Sequence, residues 1–389
     1  MNTKFENSLS SLVEFIEQEE YKGWDPYDGL NSKLFQSIPI IKDSRFFRLA
    51  WIQFFKKSPI NFRNLVGIEK EYNSKGLALF VSGYCRLYSI NKDSTLLENI
   101  NFLCEKILTI QSKSWSGSCW GYNFDWQARA FFQPKNTPTV VASVYVSSAL
   151  LDAYEITNNQ SYLDAAISCC DFILKDLNRT YDKDGDFCFS YSPLDKTIVY
   201  NASLLGSRLL SRVYSITCNE TYKTEAAKSV KFCLKHQQTN GAWAYGQQSF
   251  HYWVDNFHTG FNLECIANYK HYTNDTSVEE ALERGFNYYV NTFFDEKGRS
   301  KYYNNKLFPI DIHSPTQLIV TLCALNKFNQ HKDLADKVLL WTINNMQDKK
   351  GFFYYQVNKY ISSKIPYMRW TQAWMFYAFC VYKKEMNES

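Results

Sequence analysis

A glycine followed closely by aromatic residues occurs five times along the chain. These glycines lie 68, 56, 57 and 53 residues apart and are Gly117, Gly185, Gly241, Gly298 and Gly351. Self-similarity at a nearly constant period is typical of a fold assembled from copies of one supersecondary unit, each of which buries its apolar face against its neighbours. This repeat restricts the fold more than any other feature of the sequence.

Two kinds of helical pattern alternate with the motifs. Amphipathic helices, with apolar residues three and four positions apart, are predicted before the motifs over 94–111, 160–178, 222–238, 277–293 and 332–347. More apolar helices are predicted over 76–90, 138–156, 198–215, 257–270, 314–328 and 370–383. Because a helix with little polar face is buried on most sides, the pattern predicts two concentric rings, an all-α (α/α)6 toroid of inner and outer helices. The alternative is an open helical superhelix.

The first 60 residues add further elements. Helices predicted over 5–20 and 43–56 are expected to supply or extend the first outer position. The polar, aromatic segment 23–32 between them is too elaborate for a simple connector. We interpret this segment as a lid or ligand clamp over one mouth of the ring, with a plain turn as the alternative. Since no linker is evident, residues 1–389 are expected to form a single toroid domain.

Composition excludes several classes of protein. The chain is 45% hydrophobic and 17% aromatic with a formal net charge of +4, which excludes a disordered chain and a basic nucleic-acid-binding arm. The sequence has 11 scattered cysteines without C-x-x-C spacing, no signal-peptide pattern and no uncharged apolar run of about 18 residues. We therefore expect reduced thiols, a cytoplasmic location and no transmembrane segment. No cofactor or metal is expected, since the acidic run 182–186 has Pro193 at the twelfth position, where a calcium loop needs Glu.

The candidate site lies in the loops just before the inner helices. In a toroid these helices begin at one end of the funnel, where free N–H groups and positive dipole ends favour an anionic ligand. The catalytic candidates are Tyr122, Asp255, His258, Asp311, His313 and Arg369. The substrate-binding candidates are Asp25, Tyr27, Asp28, Trp120, Asp125, Arg129, Trp253, Trp370 and Gln372.

Many of these candidates also have a purely structural interpretation. The alternatives are a helix N-cap for Asp255 and Asp311, a hydrogen-bonded core position for His258 and His313, a surface pair for Asp125 with Arg129, and a stacked pair for Arg369 with Trp370. The tryptophans are equally suited to wedging helical hairpins together.

Four segments carry a resemblance to a known superfamily. They are 23–32 (Gly-Trp-Asp-Pro-Tyr-Asp-Gly-Leu-Asn-Ser), 255–260 (Asp-Asn-Phe-His-Thr-Gly), 311–315 (Asp-Ile-His-Ser-Pro) and 369–374 (Arg-Trp-Thr-Gln-Ala-Trp). With them the whole chain resembles the six-hairpin toroids, and within these a bacterial branch found with surface-polysaccharide assembly enzymes. Its described relatives are glucuronyl C5-epimerases and the toroid domains of heparinase-like lyases. The resemblance implies a carbohydrate-active enzyme for an acidic, uronic-acid-containing glycan in surface-polysaccharide biosynthesis or modification.

A second resemblance concerns the fold alone. Residues 237–243 fit the Q-x-x-x-G-x-W repeat of triterpene cyclases, and residues 347–353 are a weaker copy. That repeat ties an outer helix to the turn that follows it, so it supports the hairpin architecture. The sequence has no Asp-x-Asp-Asp acid motif and its loops are polar, which argues against terpene cyclisation.

Epimerisation and β-elimination of a uronate both begin with removal of the C5 proton beside the carboxylate. This step needs a base, a cation to stabilise the enolate and an acid. We assign His258 as the base, Arg369 as the carboxylate clamp, and His313 or Tyr122 as the acid. Asp255 and Asp311 are expected to orient the two imidazoles or to bind substrate hydroxyls. The residues expected to stack on sugar faces are Trp120, Trp253 and Trp370.

Two alternatives remain open at this level. A glycoside hydrolase would use paired carboxylates, with Asp255 and either Asp311 or Asp125 as the pair. A non-catalytic toroid would grip a glycan or a protein in its aromatic funnel. The expected partner is an oligo- or polysaccharide, free or lipid-linked, rather than a nucleic acid; the sequence leaves the oligomeric state open.

Overall fold

The structure is a computed structural model and describes residues 2–129 and 131–388. In chain order the helices are α1 (Asn2–Gln18), α2 (Lys33–Gln36), α3 (Pro39–Asp43), α4 (Arg45–Lys57), α5 (Ser74–Asn91), α6 (Ser94–Thr109), α7 (Val140–Thr157), α8 (Gln160–Lys175), α9 (Tyr200–Thr217), α10 (Glu220–Leu234), α11 (Asn256–Thr273), α12 (Glu279–Phe293), α13 (His313–Ala324), α14 (Lys332–Met346) and α15 (Trp374–Glu388). Single helical turns lie at Asp28–Asn31, Ser249–His251, Thr276–Val278 and Asn329–His331, and a π-helical segment lies at Met368–Ala373.

Three short antiparallel strand pairs lie in the described connections between helices. They pair β1 (Trp126–Gln127) with β2 (Phe132–Gln133), β3 (Arg179–Tyr181) with β4 (Phe187–Phe189), and β5 (Ile310–Asp311) with β6 (Gln356–Val357). The first two pairs are hairpins, whereas α13 and α14 separate β5 from β6 along the chain. Each pair has two or three residues a strand, so the pairs add no separate sheet layer to the fold.

Six helices form a closed inner ring. Helices α5, α7, α9, α11, α13 and α15 each pack against the next, and α15 packs back against α5. Helices α6, α8, α10, α12 and α14 lie outside them, and α1 completes the outer ring by packing against α14 and α15. The predicted all-α (α/α)6 toroid is confirmed, and contact between the first and last inner helices excludes the open superhelix.

One N-terminal prediction is wrong. Helix α1 fills the last outer position, but α4, predicted over 43–56, does not extend the outer ring. It packs instead against α3, β1 and the turn at Asp28–Asn31. The reason is a satellite apolar cluster, separate from the main core, in which Ile52 of α4 meets Leu30 and Phe35.

One of the described helices is long and apolar enough to cross a membrane by length and composition, namely α7. Within the toroid this helix is an inner-ring member with most of its residues buried. Its apolar character is therefore explained by burial between its neighbours in the ring.

The structure describes all the cysteines and the acidic run 182–186. All 11 cysteines are free, and nine of them are buried. Lys235 Nζ lies 2.7 Å from carboxylate oxygens of Asp182, Asp184 and Asp186. An ammonium group thus occupies the position that a cation would take in a calcium loop.

The repeated glycine marks a contact between one unit's turn and the next outer helix. A Cβ atom at Gly241 would collide with the backbone carbonyl oxygen of Arg284 in α12, and one at Gly351 with that of Ser11 in α1. Gly241 also has a φ of 94°, which other residues rarely adopt. The glycine motif therefore recurs with the helical units, because at these two positions it packs against the next helix of the outer ring.

Gln237 and Trp243 secure the same turn. Gln237 Nε2 donates hydrogen bonds to the backbone oxygens of Gly241 at 3.1 Å and of Ala281, in α12, at 2.9 Å. Trp243 Nε1 donates to the Cys233 oxygen of α10 at 3.0 Å. The structure confirms that this cyclase-like repeat ties neighbouring units together.

Replacing the repeated glycine tests its packing role. We expect Gly241→Ala to lower the free energy of unfolding by about 3 kcal/mol, because a backbone collision adds to the conformational cost. Gly185 is the matched control, since it has a φ of 83° but open space where a Cβ would lie. Gly185→Ala should lose only about 1 kcal/mol. Equal losses in urea unfolding would contradict the packing explanation.

Candidate active site

A cavity of about 690 Å³ opens where the inner helices begin. Each of the six inner helices contributes a residue from its first turn or preceding loop, namely Lys75, Val141, Asn201, His258, His313 and Arg369. Helix α4 adds Leu49, Gln53, Lys56 and Lys57 on one side. The cavity therefore lies at the end of the toroid that helix dipoles make electropositive.

The cavity wall carries cations but no carboxylate. None of the described residues that line it is Asp or Glu. The cationic lining residues are Lys56, Lys57, Lys75, Arg129 and Arg369, and three histidines, His251, His258 and His313, accompany them. A concave surface of one sign concentrates ligands of the opposite sign, so this wall favours an anion.

Asp255 and His258 form a dyad at the start of α11. Asp255 Oδ1 accepts the backbone N–H of His258 at 2.9 Å, so Asp255 is a helix N-cap as well. Asp255 Oδ2 accepts hydrogen bonds from His258 Nδ1 at 2.7 Å and from Trp253 Nε1 at 3.0 Å. In the neutral imidazole, the tautomer with its proton on Nδ1 has its free lone pair on Nε2, which is the arrangement that a general base requires.

His313 is buried at the floor of the cavity. Neither of its ring nitrogens has a hydrogen-bond partner among the described residues. Its ring stacks on Phe257 with centroids 4.8 Å apart and meets Trp374 at 4.4 Å. Burial, and then the charges of Lys75 and Arg369, hold the pKa of His313 well below its usual value of 6.5. The unliganded protein therefore holds a neutral, unpartnered imidazole facing its ligand space.

Asp311 does not contact the imidazole it was expected to orient. Its Oδ1 accepts the backbone N–H of His313 and the Nε1–H of Trp370, both at 3.0 Å. Its Oδ2 accepts from Gln356 Nε2 at 2.7 Å. Asp311 is wholly buried, does not line the cavity, and burial raises its pKa to about 6. It positions the start of α13 and Trp370, and its predicted contact with substrate is not supported.

Arg369, the predicted carboxylate clamp, already holds a carboxylate of this chain. Its Nε donates to Asp25 Oδ2 at 2.5 Å and its Nη2 to Asp25 Oδ1 at 2.8 Å, with both side chains buried. The guanidinium lies 5.1 Å from the ring centroid of Tyr122 and 5.2 Å from that of Trp370. Only Nη1 lacks a hydrogen-bond partner among the described residues, so this nitrogen alone is left for a ligand.

The predicted lid is a fixed part of the wall. Asp25 is held by Arg369, and Asp28 pairs with Arg63 at 2.7 Å, with all four side chains buried. Neither aspartate lines the cavity, so their predicted contacts with substrate are not supported. Tyr27 does line it, and its Oη accepts a hydrogen bond from Lys56 Nζ at 2.8 Å.

Three further substrate-binding predictions are not supported, because the side chains serve the fold. Trp120 is wholly buried and donates from Nε1 to the Ile107 oxygen at 2.8 Å. Gln372 exchanges two hydrogen bonds of 2.9 Å with the backbone of Phe353. Asp125 lies off the wall and accepts a backbone N–H from the loop at 2.6 Å. The predicted residues that the structure does place on the wall are Tyr27, Tyr122, Arg129, Trp253, His258, His313, Arg369 and Trp370.

Lys75, in the first turn of α5, was missed by sequence reasoning. Its Nζ lies 4.1 Å from the ring centroid of Tyr145 and 5.1 Å from that of Trp374, and it has no hydrogen-bond partner among the described residues. Burial, and then the charge of Arg369, hold the pKa of Lys75 well below 10.5. The only signal in the sequence was a lysine at the start of an otherwise apolar helix.

Aromatic rings cover much of the remaining wall. Tyr245 stacks on Trp253 with centroids 4.7 Å apart and an interplanar angle of 13°, and it also meets the His258 ring at 4.6 Å. Trp126, from β1, packs against Tyr191 at 5.7 Å. Flat apolar rings beside polar groups are typical of sites that bind sugar faces.

Comparisons with known proteins place the fold. No protein-family model and no curated protein matches the sequence. Cellobiose 2-epimerase from Bacillus thermoamylovorans is similar in structure, with a TM-score of 0.64 at 13% identity over 81% of this chain and 88% of that one. A GH76 α-mannanase from Bacteroides thetaiotaomicron gives 0.62 at 13% identity over 81% and 88%. A polysaccharide lyase gives 0.58 at 11% identity over 80% and 90%. At such identities the similarity shows a shared (α/α)6 toroid fold.

The low pKa of His313 predicts a pH dependence of stability. A histidine whose pKa is depressed on folding stabilises the protein above its unfolded pKa of about 6.5, and that stability is lost as the pH falls. His313→Asn should therefore flatten the fall in unfolding free energy between about pH 7 and 5, by at most about 1.4 kcal/mol per pH unit. His271→Asn, at an exposed position, is the control. Identical slopes for His313→Asn and the parent protein in urea titrations would contradict the assignment.

Proposed function

We propose that the protein is a carbohydrate-active enzyme that removes a proton beside the carboxylate of a uronic-acid residue, with C5 epimerisation or β-elimination as the outcome. One observation carries the proposal. An Asp-oriented imidazole faces a cavity whose described wall has five cationic residues and no carboxylate. The resemblance of the sequence to C5-epimerase and lyase toroids supports the same reaction class.

The dyad supplies the base. His258 Nε2 takes the C5 proton, and the imidazolium that forms is stabilised through Nδ1 by the Asp255 carboxylate at 2.7 Å. Asp255 acts as a positioning residue, because it holds the ring and its tautomer and does not line the cavity.

The basic residues of the cavity wall stabilise the enolate intermediate. Removal of a proton beside a carboxylate places a second negative charge on the substrate as an enolate, and cations preorganised in a dry site stabilise that charge. We assign this role to Lys75 Nζ, which has no hydrogen-bond partner among the described residues, and to Arg369 Nη1, the one nitrogen of that guanidinium that does not bond to Asp25.

The acid is His313 in this proposal. Its imidazole and that of His258 both contact the ring of Phe257, at centroid distances of 4.8 and 4.5 Å. An anionic substrate beside His313 raises its pKa, so binding itself prepares the ring to carry the proton that epimerisation returns to C5. In β-elimination the same proton goes to the leaving oxygen.

The site disfavours the hydrolase alternative. Glycoside hydrolysis generally needs two carboxyl groups flanking the substrate. The candidate carboxylates Asp255, Asp311 and Asp125 are all hydrogen-bonded within the protein and lie off the cavity wall.

The cavity volume of about 690 Å³ suits a short oligosaccharide segment.

The setting we propose is surface-polysaccharide synthesis or modification in the cytoplasm. All 11 cysteines are free, which is typical of reducing compartments. The substrate is then an oligo- or polysaccharide, carried free or on a lipid.

Isotope exchange tests the reaction class. The substrates are glucuronic-, mannuronic- and galacturonic-acid oligosaccharides in deuterated buffer. We expect deuterium at C5 without bond cleavage if the enzyme is an epimerase, and unsaturated ends without deuterium at the new C5 if it is a lyase. His258→Asn should lower the exchange rate about 1,000-fold or more, since it removes the general base. His271→Asn, far from the dyad and exposed, should exchange at the parent rate.

Other outcomes of the same experiment separate the alternatives. New reducing ends without unsaturation would identify a hydrolase, and exchange at C2 of a free sugar would identify a different proton transfer. Saturable binding with neither exchange nor unsaturated ends would identify a non-catalytic toroid and would overturn the proposed reaction.

Lys75→Met tests the role of Lys75 as a binding group for the substrate anion. We expect kcat/KM for a uronate substrate to fall at least about 10- to 100-fold, because the variant loses a charged contact to the carboxylate and to the enolate that forms from it. Lys349→Met, on the exposed exterior, is the matched control. An unchanged kcat/KM in Lys75→Met would contradict the assigned role.

Binding to the parent protein should be accompanied by proton uptake, since an anion beside His313 raises its lowered pKa. Calorimetry in two buffers of different ionisation enthalpy measures that uptake.

A further inference from the structure

The segment 33–65 exposes an unusual number of apolar side chains. Of 17 exposed large hydrophobic residues in the described chain, eight lie here: Leu34, Ile38, Ile40, Phe46, Phe47, Phe54, Ile60 and Leu65. We call these eight residues the α4 face. Eight exposed apolar residues within one short segment are typical of an interaction site, whereas single exposed residues elsewhere need no explanation.

Helix α4 is apolar on two opposite sides. Ile52 and Phe55 are buried against the satellite cluster and the rest of the N-terminal region. On the other side, Phe46 and Phe54 are 72% and 50% exposed, with Ala50 midway between them at four-residue spacing. A surface helix of a water-facing protein normally carries polar residues there. The outer side of α4 is therefore built for an environment other than bulk water.

The same segment is strongly basic. Residues 33–65 contain seven basic residues and a single acidic one, a net charge of +6, against +4 for the whole chain. Two of the seven pair with acids elsewhere, Lys33 with Glu69 and Arg63 with Asp28. Lys42, Arg45 and Lys57 form no ion pair within the described chain.

We propose that the α4 face docks on the surface of a lipid bilayer that contains anionic lipids. Phe and Leu on one side with Lys and Arg beside them are typical of helices that lie in a membrane interface. The basic side chains meet anionic headgroups while the phenyl rings enter the boundary with the acyl chains.

The positive charge of the segment favours an anionic bilayer over a protein partner or a second copy of the chain. The buried centres of protein interfaces are depleted of charge, whereas here cations are interspersed among the phenylalanines. A two-fold dimer through the α4 face would bring two segments of net charge +6 together without compensating acids. An anionic bilayer supplies the missing charge.

Docking would place the cavity at the membrane surface. Leu49, Gln53, Lys56 and Lys57 of the same helix line the cavity, so its opening lies beside the α4 face. A glycan anchored on a lipid would then meet the cavity without leaving the bilayer. The docking itself does not depend on the proposed chemistry, because it is a property of surface residues.

Vesicle co-sedimentation tests the proposal on the intact chain. The probes are vesicles of phosphatidylcholine alone and of phosphatidylcholine with phosphatidylglycerol in a roughly two-to-one ratio. We expect binding to the anionic vesicles, weakened by salt. The double variant F46S/F54S should bind about 10-fold more weakly, and K42Q/R45Q should lose the preference for anionic lipid.

The control variant is Y360S/I361S, which changes another exposed apolar pair, 85% and 70% exposed, outside the α4 face. It should bind vesicles as the parent protein does. Thermal unfolding midpoints of F46S/F54S and Y360S/I361S should agree with that of the parent protein, since only exposed side chains change in these variants. Turnover of a soluble oligosaccharide by F46S/F54S should match the parent, which separates docking from catalysis.

Three results would overturn the proposal. The first is no binding to the anionic vesicles, and the second is equal binding by F46S/F54S and the parent protein. The third is self-association, measured by light scattering, that F46S/F54S abolishes in the absence of vesicle binding. Failure of the isotope-exchange experiment, by contrast, would leave the docking result intact.

Discussion

Contact between α15 and α5 closes the inner ring, and the rest of the structure depends on it. Gly83 permits this contact, because a Cβ there would collide with the ring of Phe376. Closure brings the beginnings of all six inner helices to one end of the molecule. Residues as distant in sequence as Lys75 and His313 thereby share one cavity, and the aligned helix dipoles make that end electropositive. An open superhelix of the same twelve helices would spread these groups along a surface.

The end of the toroid where the inner helices begin carries more positive charge than the carboxylates of the protein balance. Asp25 neutralises part of Arg369, while the Lys75 amine contacts aromatic rings and forms no hydrogen bond to a carboxylate of the described chain. Burying a basic group without a carboxylate is costly, and its pKa falls accordingly. Such a departure from ordinary core design is typical of functional sites, where a ligand supplies what the unliganded protein lacks. The same feature underlies both the proposed uronate chemistry and the expected proton uptake on binding.

Helix α4 connects the cavity with the exterior. One side of it anchors on the satellite cluster around Leu30, another lines the cavity through Lys56, and the outer side presents phenylalanines to solvent. A helix with these three faces cannot serve as an ordinary outer-ring member, which explains why α1 takes that position. If the α4 face docks on lipid, the electropositive mouth and the anionic surface would lie side by side.

The sequence by itself determined the ring, the order of inner and outer helices and the Asp255–His258 dyad. These features are local: helical periodicity reports burial within one segment, and a cap and its histidine lie three residues apart. Tertiary structure alone decided that Asp25 forms an ion pair with Arg369, 344 residues away, and that Lys75 packs against Tyr145 and Trp374. It also decided that Trp120, Gln372 and Asp311 serve the core. Partners brought together by ring closure leave no periodic trace in the chain, so contacts at that range were beyond the reach of sequence patterns.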